Sequence, residues 1–305
     1  MKVLVTGGSG FLGKSISDYF SRKGHEILIF DKNEPKGLLD NQVFLEGDLF
    51  DGKKLNEALK GIDIVLHFAA QADIDHSDEN PAETLQNNIQ GTINLLEQVK
   101  DSILKRLFFS SSVYVNSKHG SFYGVSKQCC EKIIEEYSRK YGIDFTILRY
   151  GSLYGPQSNE FNSISNIIES ALKNKKIERA GDGEEIREYV FIDDAAEMTY
   201  ETLSDEYINK HIFISGNQQI KVKDLLLMLN EILGGNIEIL YKEKNNDELH
   251  YGITPYSFKM NSAKRIALKN FTDLGDGLLQ VIQGCLLYTS PSPRDVEESR
   301  MPASA

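Results

Sequence analysis

The chain has 305 residues, of which 26% are charged and 40% hydrophobic, as in soluble globular proteins. Its net charge of −11 and the lack of any Lys/Arg cluster argue against a nucleic-acid partner. No apolar run approaches the ~18 residues that span a bilayer, and the amino terminus, MKVLVTGG, reaches glycine too soon for a signal peptide. Cys129, Cys130 and Cys285 have no CxxC spacing, which indicates no metal site and a reducing, cytoplasmic setting.

Strand and helix patterns alternate through the first half of the chain. Short apolar runs predict strands, and the intervening segments carry apolar residues at helical spacing. The predicted strands are 2–6, 26–30, 43–45, 63–68, 106–110 and 144–149, and the predicted helices are 11–23, 51–60, 82–99 and 121–140. This alternation predicts an α/β fold, a doubly wound parallel sheet of the Rossmann type with helices on both faces.

The alternation loosens beyond about residue 150. Helices at 164–175 and 223–234 and a returning strand at 189–192 are predicted there. We expect residues 1–150 to form the Rossmann domain and 151–284 a smaller lobe, mainly for substrate, with segments that return to the sheet. Residues 285–305 lack an apolar period and resemble translated sequencing-adapter sequence, so they are predicted to be a non-native or disordered tail.

A glycine-rich turn, VTGGSGFLG, joins the first predicted strand to the first helix. Gly7, Gly10 and Gly13 have the spacing of dinucleotide-binding turns, in which glycine permits close approach to a pyrophosphate at a helix N-terminus. Asp31 ends the second strand, where a carboxylate can accept both ribose hydroxyls and repels a 2′-phosphate. The sequence therefore predicts NAD as cofactor. Asp48 is placed to meet the adenine edge, to cap the helix at 51–60, or to do both.

Eight short motifs follow one another in the order found in one protein family. The chain resembles the extended short-chain dehydrogenase/reductase family, in its NAD-dependent epimerase/dehydratase branch, over roughly residues 1–283. The motifs are TGGSGFLG, GDLFD, HFAA, NNIQGTINLLE, SSSVY, YGVSK, LRYGSLYGP and REYVFIDD. This resemblance implies NAD-dependent chemistry on a nucleotide sugar.

The resemblance implies that Tyr123 and Lys127, four residues apart on one helical face, are catalytic. A phenol has a pKa of ~10, so Lys127 and the positive nicotinamide ring are expected to favour the phenolate. A serine should hold the substrate oxygen. Ungapped alignment chooses Ser111, whereas other anchors choose Ser110 or Ser112. The segment from Ser112 to Tyr123 is shorter than usual in the family, which leaves the substrate contacts of this edge open.

Further residues take expected roles from the same resemblance. The positions matching the family's cofactor site are Gly7, Gly10, Phe11, Leu12, Gly13, Asp31, Asp48, Leu49, Phe68, Ala69, Ala70, Asn88, Tyr123, Lys127 and Tyr150. Core packing is an equal alternative for Phe68–Ala70, and His67 is expected to be a core histidine. For the substrate, Arg187 matches the position that pairs with a pyrophosphate, and Ser112 and Ser152 are expected to contact the sugar.

The reaction is narrowed by what the sequence lacks. The family's dehydratases use acidic residues after the strand-end serine, and Ser112 and Val113 cannot replace them. A nucleotide-sugar 4-epimerase, which oxidises C4, turns the keto sugar and returns the hydride, needs only Ser, Tyr, Lys and NAD. A nucleotide-sugar dehydrogenase or 4-reductase uses the same residues and remains the alternative, and a non-catalytic NAD-binding scaffold is a more distant one. The resemblance also implies a homodimer through helices 82–99 and 121–140, with Cys129, Cys130, Ile133 and Ile134 in its interface.

Overall fold

The computed structural model describes residues 1–158, 162–242, 252, 264–266, 268 and 270–289, with backbone alone for 264–265 and 287–289. The strands are β1 Lys2–Thr6, β2 Glu26–Asp31, β3 Gln42–Glu46, β4 Ile64–His67, β5 Arg106–Ser112, β6 Phe145–Tyr150, β7 Ser152–Tyr154, β8 Lys176–Ala180, β9 Ile186–Arg187, β10 Tyr189–Phe191, β11 Lys210–Ile214, β12 Ile220–Lys221, β13 Glu238–Lys242 and β14 Lys264–Arg265. The α-helices are α1 Phe11–Arg22, α2 Gly52–Ala58, α3 Ile74–Glu79, α4 Pro81–Leu85, α5 Gly91–Val99, α6 Ser121–Tyr141, α7 Ser163–Asn174, α8 Ile192–Glu201, α9 Val222–Ile232 and α10 Leu274–Thr289.

A parallel sheet forms the centre of the molecule, as the alternation predicted. Its order in the described part of the chain is β14-β11-β6-β5-β4-β1-β2-β3, and every neighbouring pair in it is parallel. The winding reverses direction between β1 and β4. In such sheets the crevice at the carboxyl ends of the strands beside the reversal is where nucleotides bind.

Each face of the sheet is covered by its own set of helices. On one face Ile16 and Phe20 of α1 pack with Met198 of α8, all fully buried. On the other, Leu55 of α2 and Ile134 of α6 enter a second core together with α5. Helix α8 was not predicted, and it comes from the second half of the chain.

Two further sequence predictions need correction. The single helix expected at 82–99 is three pieces, because a π-turn, Gln86–Gln90, separates α4 from α5. Strand β11, which was not predicted, pairs with β6 over five residues, from Lys210 beside Thr146 to Ile214 beside Tyr150. The sheet therefore continues past residue 150 with a strand from the second half of the chain.

The remaining elements form a smaller lobe with its own core. Its buried members include Ile168 of α7, Leu229 of α9 and Leu278 of α10. The pair β7 and β10 is parallel, as is the pair β8 and β13, whereas β9 and β12 are antiparallel. Helix α10 extends to Thr289, so the first five residues of the predicted tail are helical. Residues 290–305 of that predicted tail lie outside the described residues.

The interior position of two α6 residues corrects the predicted dimer face. Cys130 is 0% and Ile134 1% exposed, and both belong to the core beneath α6. They cannot line a surface interface. In the described ranges, no helix combines the length and the apolar character that a bilayer crossing requires.

Candidate active site

The glycine-rich turn is packed so closely that two of its glycines cannot carry a side chain. Gly7 has φ +72°, and a Cβ there would lie 2.5 Å from the backbone nitrogen of Ala69. A Cβ on Gly13 would lie 2.2 Å from the Gly7 carbonyl oxygen. Gly10 precedes α1, where no side chain caps the helix and no acidic residue occupies the first turn. The helix thus presents its positive end bare, which suits a phosphate group.

Asp31 lies beside this turn, at the end of β2. Its Oδ2 accepts the Ser9 backbone N–H at 3.0 Å, and its Oδ1 accepts that of Asn33 at 3.1 Å. These bonds fix the carboxylate next to the turn and leave each oxygen a further lone pair. The structure therefore brings the glycine turn and the acid together, as the sequence predicted.

Asp48 faces Lys32 rather than a helix terminus. Its Oδ2 is 2.9 Å from Lys32 Nζ. Burial would raise the pKa of Asp48, but the hydrogen bond and charge of Lys32 and a bond from the Phe50 N–H lower it overall. The alternative that Asp48 caps the following helix is wrong, because Asp51 holds that position and accepts the N–H groups of Lys53 and Lys54.

The apolar residues assigned to the cofactor site lie in three different surroundings. Phe68, Ala69 and Ala70 follow β4 and remain partly exposed beside the glycine turn. Leu49, in contrast, is 8% exposed and belongs to the core beneath α2 and α5. Phe11 and Leu12 are partly buried in the core that the smaller lobe shares with α1.

Asn88 connects the segment after β4 to α6. Its Oδ1 accepts the Gln71 N–H at 2.7 Å, and its Nδ2 donates to the Gln71 carbonyl at 3.0 Å and to Ser126 Oγ at 2.8 Å. This side chain holds the neighbouring backbone in place. His67 is a core residue, as predicted, between the hydroxyls of Thr6 at 2.7 Å and Thr92 at 3.0 Å. Burial, with the charge of Lys127, lowers its pKa to about 3.

Tyr123 meets Ser112 at the carboxyl end of β5. Burial raises the pKa of Tyr123 to about 12, and a hydrogen bond with the Ser112 side chain lowers it in part. Ser112 Oγ accepts the Tyr114 N–H at 3.3 Å, so its own proton is available to the phenol. Tyr114 also packs edge-on against Tyr123, with ring centroids 6.4 Å apart.

Ser111 is turned away from Tyr123, which disagrees with its predicted role. Side chains alternate along a strand, so Ser111 shares the face of Leu107 and Phe109, which pack beneath α6. There its hydroxyl donates to Glu131 Oε1 at 2.5 Å. Of the three serines left open by the sequence, the structure brings Ser112 to the tyrosine. The two-residue alternation of the strand was the signal that could have separated Ser111 from Ser110 and Ser112.

Lys127 projects from the next turn of α6 and is 2% exposed. Its Nζ donates to the Ser110 carbonyl at 2.7 Å and lies 4.8 Å from the Phe109 ring centre and 5.9 Å from that of Tyr123. Burial lowers its pKa to about 8, against the opposing charges of Cys130 and Glu131. The protein's own residues do not lower the pKa of Tyr123 as expected, because the effect of burial outweighs that of the hydrogen bond with Ser112.

The predicted substrate residues lie at the junction with the smaller lobe. Ser152 begins β7, where it pairs with Tyr189 of β10, and Arg187 ends β9 at 9% exposure. Arg187 Nη1 donates to the Ile186 carbonyl at 3.1 Å. Tyr150 directs its hydroxyl to Thr199 Oγ1 at 2.7 Å, inside the core, and burial raises its pKa. Its ring lies 6.1 Å from that of Phe68.

Both parts of the site lie at the carboxyl ends of parallel strands, where doubly wound folds bind their ligands. A bare helix terminus beside a carboxylate at the end of β2 suits a dinucleotide, and a hydroxyl-bonded tyrosine beside a lysine suits proton transfer. This combination defines a dinucleotide-dependent enzyme of the Rossmann class. Comparison with known proteins makes the class specific. Residues 3–214 match the sequence profile of the NAD dependent epimerase/dehydratase family, and the chain belongs to that family.

Individual relatives are similar over most of the chain. A putative UDP-glucose 4-epimerase of Methanocaldococcus jannaschii is 30% identical over 302 residues, covering 92% of this chain and 97% of the relative. A UDP-glucuronate 4-epimerase of Thermodesulfobacterium geofontis is 29% identical, covering 76% and 80%. The crystal structure of a UDP-glucose 4-epimerase from Thermotoga maritima, with UDP-glucose, superposes with a TM-score of 0.81 at 26% identity, covering 94% of this chain and 99% of the other.

Proposed function

We propose that this protein is an NAD-dependent nucleotide-sugar 4-epimerase. The observation that carries the proposal is the contact of Ser112 with Tyr123, one helical turn from Lys127 and at the same sheet edge as the glycine turn. Relatives described as 4-epimerases of UDP-sugars support it. The residues following Ser112 are Val113 and Tyr114, neither of them acidic, so the reason against a dehydratase holds for this serine as it did for Ser111.

Tyr123 and Ser112 both act on the hydroxyl on C4 of the sugar, and Tyr123 transfers its proton. The Ser112 hydroxyl, anchored by the Tyr114 N–H, is placed to bond the oxygen on C4 of the sugar while Tyr123 takes the proton of that oxygen. When the hydride is returned to the opposite face of C4, Tyr123 gives the proton back. NAD, when bound, supplies the hydride acceptor and the positive charge that favours the phenolate.

Lys127 supports this transfer by its charge. Its ammonium is held by the Ser110 carbonyl, close to the tyrosine ring. A pKa lowered to about 8 by burial keeps the ammonium largely charged at neutral pH. Activity is therefore expected to fall as the pH rises through this value.

The cofactor site fits NAD by two features of the chain. The closely packed Gly7 and Gly13 leave the end of α1 bare for a pyrophosphate, and Asp31 is held beside it for the ribose hydroxyls. We assign Gly7, Gly10, Gly13 and Asp31 to this site, with Phe68–Ala70 lining it. The carboxylate also favours NAD over a 2′-phosphorylated cofactor.

For the substrate we assign Arg187 to the pyrophosphate and Ser152 to the sugar. Arg187 lies on β9, close in sequence to β10, which pairs with the strand that Ser152 begins. A guanidinium gives bidentate contact with phosphate oxygens. Residues 1–150 supply most of the cofactor site, and residues 151–284 form most of the substrate lobe.

The proposal is tested by incubating the purified protein and NAD with UDP-glucose and with UDP-glucuronate. The expected result is interconversion of C4 epimers, detected by NMR, without net formation of NADH. The Tyr123→Phe variant should lose about 10²–10⁴-fold in kcat, the usual contribution of a proton-transfer group. Stoichiometric NADH would instead favour a dehydrogenase, and absence of turnover with both UDP-sugars would count against the 4-epimerase.

A cytoplasmic homodimer completes the proposal. Three free cysteines suit a reducing compartment. On α6, Phe122 and Val125 are 38% and 50% exposed, and Cys129 is partly exposed on the same side of the helix. Sedimentation velocity should show a dimer for the parent and a monomer for Val125→Glu, whereas Lys53→Glu, at an exposed position of α2 outside the two proposed interface helices, should stay dimeric and serves as a charge control. A monomeric parent would contradict the dimer.

A further inference from the structure

A buried ion pair lies directly behind the candidate catalytic residues. Glu131 of α6 and Arg149 of β6 have side chains only 2% and 3% exposed. Arg149 donates from Nε to Oε1 at 2.9 Å and from Nη2 to Oε2 at 2.7 Å. Burial alone would raise the pKa of Glu131, but Arg149, with His211 and Ser111, lowers it to about 2. The carboxylate is thus an anion inside the protein.

This carboxylate holds the strand segment that the catalytic residues use. Ser111 donates its hydroxyl to Glu131 at 2.5 Å. The residue before it, Ser110, gives its carbonyl to Lys127, and the residue after it, Ser112, gives its hydroxyl to Tyr123. Fixing the middle serine therefore fixes the orientation of both neighbours, because side chains alternate along the strand.

A role in stability alone does not account for such a pair. Taking two charges out of water costs several kcal/mol, and apolar replacements of similar volume are often neutral or stabilising. The pair connects α6, which carries Tyr123 and Lys127, to β6 and, through Ser111, to β5. It is placed to set the relative position of these elements.

We propose that Glu131 is a positioning residue: by binding Ser111 and Arg149 it directs Ser112 to Tyr123 and the Ser110 carbonyl to Lys127. The inference rests on the proposed function for its catalytic meaning. Glu131 is proposed to touch neither substrate nor cofactor. It acts by holding strand β5 in place and by its charge near Lys127.

Glu131 also acts on Lys127 electrostatically, since it lies one helical turn beyond it. The groups that face the Lys127 ammonium are Tyr123, Cys130 and Glu131 of α6 and the neutral His67 of β4. Among them Cys130 and Glu131 raise the pKa of Lys127, and Glu131 is the ionised one. Removing its charge should lower the pKa of Lys127 and leave the Arg149 charge uncompensated.

The test compares Glu131→Gln with Glu135→Gln. Glu135 lies one turn further along α6 and contacts His211 at 2.9 Å, but makes no contact with Ser111. Because Glu131→Gln leaves a buried arginine unpaired, a Glu131→Met, Arg149→Met double variant removes both charges and keeps the test valid if the single variant does not fold. For each folded protein we would measure kcat against pH and the NMR titration of Lys127 in lysine-labelled protein.

The expected result for the Glu131 variants is a loss in kcat of about tenfold to a hundredfold, with the alkaline limb of the profile and the Lys127 titration both moved to lower pH. Glu135→Gln should match the parent. The inference is overturned by a folded Glu131 variant that keeps the parent's kcat, or by one that loses kcat while Lys127 titrates as in the parent. If the parent has no epimerase activity, the proposed function fails, whereas the Lys127 titration still decides on Glu131.

Discussion

Three adjacent serines at the end of β5 have three different environments. Ser110 offers its carbonyl to Lys127, Ser111 is bound by Glu131, and Ser112 meets Tyr123. Strand alternation alone separates the middle serine from the other two. At the residue scale, the chemistry of this site therefore depends on which face of the sheet a side chain occupies.

The serines give a direct prediction. Ser112→Ala should lower kcat about 10²–10³-fold, the usual effect of losing a hydrogen bond to a reacting oxygen. Ser111→Ala should cost about tenfold, the lower end of the range expected for the Glu131 variants, since it breaks the link from Glu131 to β5 but leaves the Glu131 charge and its bonds to Arg149 in place. Steady-state kinetics on UDP-glucose, with thermal unfolding of both variants, measures this. Equal losses in two well-folded variants would contradict the assignment.

Glu131 predicts a pH dependence of stability. Its folded pKa of about 2 lies below the ordinary value of 4.5. Its contribution is therefore fully present above pH 4.5 and lost as the pH falls toward 2. Urea unfolding should show the largest gap in free energy between parent and Glu131→Gln at neutral pH, narrowing as the pH is lowered. A gap that does not change with pH would exclude an ionised Glu131.

At the element scale, the β1–α1 turn is defined by contact with the segment after β4. Gly7 adopts a left-handed conformation and touches the Ala69 backbone, and Gly13 touches Gly7. The turn thus combines a conformational requirement with a steric one. Only the steric requirement depends on the segment that follows β4.

Two glycine substitutions separate these requirements. Gly24 has φ +87° with no atom within 4 Å of an added Cβ, so Gly24→Ala bears only the conformational cost of about 1 kcal/mol. Gly7→Ala bears that cost and a clash with backbone, so it should destabilise by several kcal/mol and abolish NAD binding. Urea unfolding and NAD titration calorimetry test this. Similar behaviour of both variants would exclude the close contact at Gly7.

At the scale of the whole molecule, the Rossmann sheet is completed by the second half of the chain. Helix α8 covers α1, and β11 pairs with β6. The smaller lobe in turn closes its core with Leu274, Leu278, Val281 and Ile282 of α10. The central sheet therefore crosses the expected division at about residue 150, because it includes β11 from the second half of the chain.

Two shortened chains test the predicted tail. A chain ending at Thr289 should keep the parent's free energy of unfolding to within about 0.5 kcal/mol. One ending at Asp273 loses the buried apolar residues of α10, at about 1.5–3 kcal/mol for each. Urea unfolding and epimerase assays compare the two with the parent. A large loss in the chain ending at Thr289 would contradict a dispensable tail.

The first half of the fold was predictable because its strands and helices show strong local periodicity. Strands 2–6 and 26–30 were predicted within one residue of β1 and β2. The turn and Asp31 followed from local spacing. The helix Ile192–Glu201 and the strand Lys210–Ile214 were missed, because their place is set by long-range pairing. The position of Ser111 was missed because a family alignment does not show to which face of the strand each side chain points. The ion pair of Glu131 with Arg149 was missed because it joins residues that are distant in sequence.

The late arrival of β11 has a consequence for synthesis of the protein. When Tyr150 leaves the ribosome, β6 has one open edge, and its partner begins 60 residues later at Lys210. At 5–20 residues per second this edge stays unpaired for about 3–12 s. A nascent chain in that interval exposes an apolar strand of the kind that associates with other chains. Slower translation of residues 151–214 should therefore lengthen the exposure of this edge and raise the chaperone dependence and aggregation of the nascent chain.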